Sequence, residues 1–192
     1  MARLVLASGS PYRRDLLKQL GIPFEHCSPD VEEATQEGES AEELTLRLAK
    51  DKALAVIDRF PTHLIIASDQ VALLDGEPVS KPGDHAAATR QLQRSSGQRI
   101  TFSTSLCLLN SETGRMQTTV EHFHVQFRQL SDEAIERYLS AEKPYDCAGS
   151  FRVEGLGISL FSSLQGEDPN SLIGLPMIRL CDMLANEGVY LP

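Results

Sequence analysis

At 192 residues, with 41% hydrophobic and 23% charged side chains, the chain has the make-up of an ordinary globular protein of about one domain, which excludes a disordered or collagen-like polymer. Its 27 acidic residues outweigh 18 basic ones for a formal charge of -9; this argues against nucleic-acid binding through a general basic field and leaves room for a small anion in a local basic pocket. No apolar run approaches about 18 residues, so no membrane span is expected, and the short apolar patch Leu4–Ala7 in Met1–Ser10 is too short for a signal peptide, so a cytoplasmic location is expected.

Arg3–Ser8 reads as a first strand. Ser10-Pro11 opens a helix, with Ser as N-cap and Pro at the first helical position, and Gly21 ends it. Phe24–Ser28 suits a second strand. Ser40-Ala41-Glu42-Glu43 is a capping box that starts a helix running to about Arg59. His63–Leu74 is an apolar strand closed by the turn pair Asp75-Gly76, with a short strand-like Glu77–Ser80 behind it. Pro82-Gly83-Asp84 leads into a helix ending near Ser95. Two long strands follow, Ile100–Leu109 and Met116–Arg128, joined by a turn around Asn110–Gly114. Ser131 caps a helix whose apolar face is Ala134, Ile135, Tyr138 and Leu139. Cys147–Gly166 is glycine-rich and irregular. Pro176 opens the last helix, with Met177, Leu180, Cys181 and Leu184 inward and Gly188 as its stop. Alternating strands and helices predict an α/β fold, a mixed sheet flanked by helices, in a single domain over 1–192.

Cys27, Cys107, Cys147 and Cys181 are widely spaced and contain no CxxC unit, so reduced thiols are expected and a zinc site is not indicated. His122-x-His124 places both rings on one strand face; surface or edge histidines are expected there.

Three charges fall on apolar faces. In the first helix Arg13 lies inside the arc of Leu16, Leu17 and Leu20. In the second, Lys52 fills the missing step of the stripe Leu44, Leu48, Val56, and in the strand 63–74 Asp69 interrupts the apolar run. A buried charge without a partner is expensive. Snorkelling, a mutual buried ion pair or an exposed bend would each account for one such residue; three inward charges on separate elements are better explained by one polar cleft. Two cations and a carboxylate there suit a phosphate ester and a metal-activated water. Lys81, just before a helix start, is placed to reach a phosphate. Of the loop acids Asp30, Glu32 and Glu33, one carboxylate would help Asp69 hold a divalent cation if the loop is more than a solvated acidic segment.

Leu6-Ala7-Ser8-Gly9-Ser10-Pro11-Tyr12-Arg13-Arg14-Asp15-Leu16-Leu17 resembles the opening signature of Maf-family nucleotide pyrophosphatases. The resemblance continues through Asp30-Val31-Glu32-Glu33, Leu48-Ala49-Lys50-Asp51-Lys52-Ala53, Ala67-Ser68-Asp69-Gln70, Ser80-Lys81-Pro82, Cys147-Ala148-Gly149-Ser150-Phe151 and Asn170–Pro176. It implies a Maf/ITPase-like α/β fold of two lobes with a cleft between, hydrolysis of nucleoside triphosphates to monophosphate and pyrophosphate, a divalent cation (Mg2+ or Mn2+), and a homodimer. Carried over by position, Asp69 is the catalytic proton acceptor, Ser8, Arg13, Lys52 and Lys81 bind substrate, and Glu33 and Asp69 hold the metal. Tyr12, Gln70 and Glu154 fall at specificity positions. The branch acting on dTTP and UTP typically has Arg at the position of Tyr12 and Gln at that of Glu154, so this sequence is similar instead to the branch acting on 7-methyl-GTP. The methylated base is a cation, which an aromatic ring can stack on and a carboxylate can pair with. A non-catalytic nucleotide-binding regulator of cell division is the rival expectation; such a binder has no need of a carboxylate opposite the phosphates.

Overall fold

The computed structural model describes residues 3–191; of the opening segment, Met1 and Ala2 lie outside them. The chain runs β1 (Arg3–Ala7), α1 (Pro11–Lys18), β2 (Phe24–Cys27), α2 (Ala41–Leu54), β3 (His63–Leu74), β4 (Glu77–Pro78), α3 (His85–Ser95), β5 (Arg99–Asn110), β6 (Met116–Phe127), α4 (Asp132–Glu142), β7 (Phe161–Gln165), α5 (Pro169–Ile173) and α6 (Met177–Asn186), with short 3-10 turns between some of them. Strand order is β2-β1-β3-β5-β6-β7, with β4 paired to β3. The sheet is mixed: β1 runs parallel to β2 and β3, whereas β4 is antiparallel to β3 and β7 to β6.

The chain divides into two compact units. The first holds residues 1–70, 104–121 and 168–192, the second residues 71–103 and 122–167. Strands β3, β5 and β6 contribute residues to both.

In the first unit, period two along the strands builds two cores. Leu4, Leu6, Leu64, Ile66, Leu106 and Leu108 pack with Leu16 and Leu17 of α1 and Leu180 and Leu184 of α6. The alternate residues Val5, Ala7, Ile65, Ala67, Cys107 and Leu109 pack with Ala49 and Ala53 of α2, Val56 and Phe60. Strands covered on both faces read as continuous apolar runs, and a charge inside such a run is conspicuous. In the second unit Phe102, Phe127, Phe151 and Phe161 meet edge to face, with centroids 4.8–5.7 Å apart.

The predicted caps are present. Ser10 accepts from the Arg13 amide with Pro11 at the start of α1, Ser40 and Glu43 form a reciprocal capping box, and Ser131 caps α4. The turn after β3 takes positive φ at both Asp75 (52°) and Gly76 (82°), as a tight hairpin requires.

Two expectations are corrected, and one helix is added to them. The second helix ends at Leu54, and Ile57–Arg59 forms a separate 3-10 turn; the break lets both Val56 and Phe60 enter the core. In α6 Met183 is buried where Cys181 was expected, Cys181 being half-buried. The helix α5 has no apolar periodicity to announce it. It is built by Asp168, 1% exposed, whose Oδ1 accepts from the Asn170 amide while Oδ2 accepts from the Ile178 amide at the start of α6.

Candidate active site

Two of the three misplaced charges meet. Lys52 lies on the buried side of α2 with Leu44, Thr45, Leu48, Ala49 and Ala53. Its ammonium donates to Asp69 Oδ1 at 2.6 Å and lies 2.7 Å from Glu33 Oε1. Snorkelling is therefore not the explanation for Lys52; it is an ion pair with one buried and one exposed carboxylate. Of the three loop acids it is Glu33 that turns to the site.

Arg13, the third, is half-buried on α1. Its Nε donates to the Gly174 carbonyl and its Nη1 to the Ser68 carbonyl, each at 2.7 Å. Burial pushes the guanidinium below the ordinary arginine value, while Asp69 and then Glu33 pull it back up. The four formal charges of Arg13, Lys52, Glu33 and Asp69 cancel, which offsets the cost of burying Lys52 and Asp69. A side chain at Gly174 would be strained: its φ is 122°, and a Cβ would stand 3.2 Å from Arg13 Nε.

Backbone carbonyls and hydroxyls hold the cluster from below. The Ser68 hydroxyl lies 2.6 Å from the Ser105 carbonyl and 2.8 Å from that of Gly174. The Ser105 hydroxyl accepts from the Asp69 amide at 3.2 Å and donates to the Thr45 carbonyl at 2.6 Å. Ser8 is buried at the end of β1, where its hydroxyl accepts from the Ser10 amide. Tyr12 is half-buried in the first turn of α1. Gln70 donates through Nε2 to Thr104 Oγ1 and the Ser171 carbonyl, both at 2.8 Å, and to the Leu172 carbonyl at 3.2 Å. Three acceptors around Nε2 fix the amide's orientation.

The acidic loop is clamped as well. Arg47 on α2 forms a two-pronged pair with Glu39, at 2.6 and 2.8 Å, and donates to the carbonyl of Ala34, the neighbour of Glu33. That pairing holds the Glu39 carboxyl down at about 2.

The family model for Maf-like proteins matches residues 3–187. The chain belongs to the Maf family. A 7-methyl-GTP pyrophosphatase of Pseudomonas aeruginosa is 55% identical over 192 residues, covering 100% of both chains. Relatives of the same name from Alcanivorax borkumensis (54% identical, covering 98% of this chain and 96% of the relative) and Nitrosococcus oceani (52%, 96% and 93%) are comparably similar.

Two of the expected site residues, Lys81 and Glu154, belong to the second unit. Lys81 is exposed in the loop between β4 and α3. That loop is fastened at both ends: Gln91 Nε2 donates to the Ser80 carbonyl at 2.9 Å, and the Gly83 amide to that of Tyr145 at 2.9 Å. Gln91 Oε1 in turn accepts from the Ser150 hydroxyl at 2.5 Å. Ser150 is fully buried with φ 61°, a conformation that non-glycine residues rarely adopt. Glu154 is exposed, its Oε1 3.8 Å from Arg152 Nε. In the same unit His122 and His124 pair through Nδ1 with the hydroxyls of Ser103 and Thr101.

Periodicity and motif spacing do not single out Ser68, Ser105, Gly174, Arg47 or Gln91. Ser68 and Gly174 lie inside blocks of the Maf pattern. Ser105, Arg47 and Gln91 carry no local signal, since each acts through a partner distant in sequence or through a loop carbonyl. Cys107 is excluded as a nucleophile: burial pushes its thiol up to about 12.

Proposed function

We propose that this Maf protein is a hydrolase that cleaves 7-methyl-GTP to 7-methyl-GMP and pyrophosphate. The observation that carries the reading is the convergence of Glu33 and Asp69 on the Lys52 ammonium, at 2.7 and 2.6 Å, beside the Arg13 guanidinium. It is supported by full-length relatives above 50% identity named for that activity.

Asp69 accepts the proton of the attacking water as it approaches the α-phosphorus in line with the leaving pyrophosphate. Lys52 fixes the carboxylate through Oδ1, which leaves the second oxygen to orient the water. Lys52, the remaining N–H groups of Arg13, Lys81 and the Ser8 hydroxyl bind the triphosphate and neutralise charge as it develops. The chemistry is positioning and electrostatics, with no covalent enzyme intermediate. Tyr12 stacks on the cationic base, Glu154 accepts from the guanine edge, and Gln70 offers its carbonyl oxygen.

Glu33 and Asp69 fit a divalent cation. Their carboxylates already share one centre of positive charge, and hard oxygen donors suit Mg2+ or Mn2+. Among the described residues no group of three His, Cys, Asp or Glu side chains could hold a metal, so Glu33 and Asp69 would supply two oxygen donors and leave the rest of the ion's ligands to come from outside the chain. When bound, such an ion would polarise the phosphoryl oxygens. Chelation by EDTA should abolish turnover and added Mg2+ or Mn2+ restore it.

Pairing into a homodimer and a cytoplasmic location complete the proposal; among the described residues no helix is long and apolar enough to cross a membrane. The deciding experiment is pyrophosphate release across canonical and N7-methylated nucleoside triphosphates. The highest kcat/KM is expected for 7-methyl-GTP. A preference for dTTP, or tight binding without turnover in the presence of metal, would overturn the assignment. Asp69→Asn should fold and lose about 10²–10⁴-fold in kcat, the usual contribution of a general base.

A further inference from the structure

Asp69 needs more than its ion pair to be held in place. Its amide, in the middle of β3, donates to a side chain, the Ser105 hydroxyl, at 3.2 Å. That hydroxyl donates in turn to the Thr45 carbonyl at 2.6 Å, and its oxygen is 3.3 Å from the Asp69 carbonyl. Thr45 and Lys52 both lie on the buried side of α2. Ser105, Thr45 and Ser68 are all fully buried, at 0% exposure. One hydroxyl therefore joins the backbone of the strand that carries Asp69 to the backbone of the helix that carries Lys52. Its own carbonyl accepts from Ser68, the residue whose carbonyl receives Arg13.

We infer that Ser105 is a positioning residue for the reaction, setting the distance between Asp69 and Lys52 by bridging β3 to α2 through its hydroxyl. The inference rests on the reading of Asp69 as proton acceptor. The physical case is one of tolerance. A charge-assisted hydrogen bond of 2.6 Å is sensitive to small displacements, and α2 otherwise meets this core through alanines and aliphatic residues, whose contacts are not directional. The Ser105 bond supplies direction and length.

The groups whose charge bears on Asp69 are Lys52 from α2, Arg13 from α1 and, through Lys52, Glu33 from the acidic loop. With the bridge cut, Lys52 is held less closely to the carboxylate. The carboxylate is then set less well for the water it orients, so kcat falls while substrate binding is little changed.

The test is steady-state pyrophosphate release from 7-methyl-GTP with Mg2+ in Ser105→Ala, Ser105→Cys and Asp69→Asn, with thermal melts on the same preparations. Ser105→Cys keeps the volume of the site and weakens the hydrogen bonds, so it stands in if the alanine variant does not fold. Both Ser105 variants should lose on the order of tenfold in kcat, inside the ~10²-fold that an ångström of misplacement can cost. KM should stay within about twofold. Wild-type kcat per folded molecule would overturn the inference, as would a rise in KM alone. In either case an inactive Asp69→Asn leaves the general-base reading standing. An active Asp69→Asn removes that reading and the role of Ser105 with it.

Discussion

Lys52 and Asp69 meet at 2.6 Å with side chains only 8% and 11% exposed. Removing one member of a buried pair strands the other, at a cost of ~3–5 kcal/mol. Lys52→Ala should fall at the lower end of that range, because Arg13 remains to attract Asp69. Melting temperature and turnover should therefore fall together. Thermal melts and kcat on one preparation check this: a stable, inactive Lys52→Ala would make the residue purely a substrate ligand, and an unstable one with full activity per folded molecule would make it purely structural.

The position of this pair was legible because periodicity exposes contradictions. A lysine at the empty step of Leu44-Leu48-Val56 and an aspartate inside an apolar strand each break a pattern that hydrophobic burial otherwise dictates. The partners were less legible. Glu33 stands beside Glu32 and close to Asp30, all three exposed, and nothing local separates them. Arg13 reaches a carbonyl 161 positions away, a closeness that only the packing of α1 against the α5 region creates. Ser105 is one hydroxyl in a strand already rich in Ser and Thr. At the level of elements, caps and turns were readable because their chemistry is local, whereas α5 was not, since a buried aspartate and two backbone amides define it.

The acidic loop should keep its shape far into acid. Glu39 is held at about 2 by Arg47, against an ordinary glutamate near 4.5. A depressed carboxylate contributes fully above its unfolded pKa, and the contribution is lost as pH falls from about 4.5 through about 2. Glu39 should thus titrate near 2 by carboxyl-carbon NMR, and Arg47→Ala should return it toward 4.5. The same variant frees the Ala34 carbonyl, so it should also raise KM through Glu33. A normal titration of Glu39 in the wild type would show that the clamp does not form in solution.

Gln91 should matter to Lys81 without touching substrate. It joins the Ser80 carbonyl to the hydroxyl of Ser150, and Ser150 is held in a left-handed conformation that costs roughly 1–3 kcal/mol. Gln91→Leu keeps the bulk and deletes both bonds. Leaving a buried hydroxyl unsatisfied costs ~1–3 kcal/mol, so the variant should melt lower and show a raised KM for the triphosphate, with kcat changed less. The split between KM and kcat is the measurement. A lowered melting temperature with KM unmoved would separate this bridge from Lys81.

Substrate choice is the sharpest expectation, and Tyr12 and Glu154 test it separately. N7-methylation places a positive charge on guanine, so each residue is proposed to read that charge by its own chemistry. Stacking of a ring on a base is worth ~1–3 kcal/mol, and Tyr12→Ala should lose 7-methyl-GTP affinity by about that amount while Tyr12→Phe retains most of it, since the ring face supplies the interaction. The Glu154 carboxylate lies 3.8 Å from Arg152 Nε, close enough for the arginine to temper its charge and far enough to leave it an acceptor. Glu154→Gln keeps the shape and removes the charge. It should depress kcat/KM for 7-methyl-GTP more than for GTP, narrowing the ratio between them, because only the methylated base gains from the carboxylate. Neither change alters Lys52 or Asp69, so pyrophosphate release from other nucleotides should persist. The ratio of kcat/KM for 7-methyl-GTP over GTP, measured in the wild type and the three variants, decides the matter. If Glu154→Gln leaves that ratio where it was, the carboxylate does not read the methyl group's charge; if Tyr12→Ala does so too, base selection belongs to other residues.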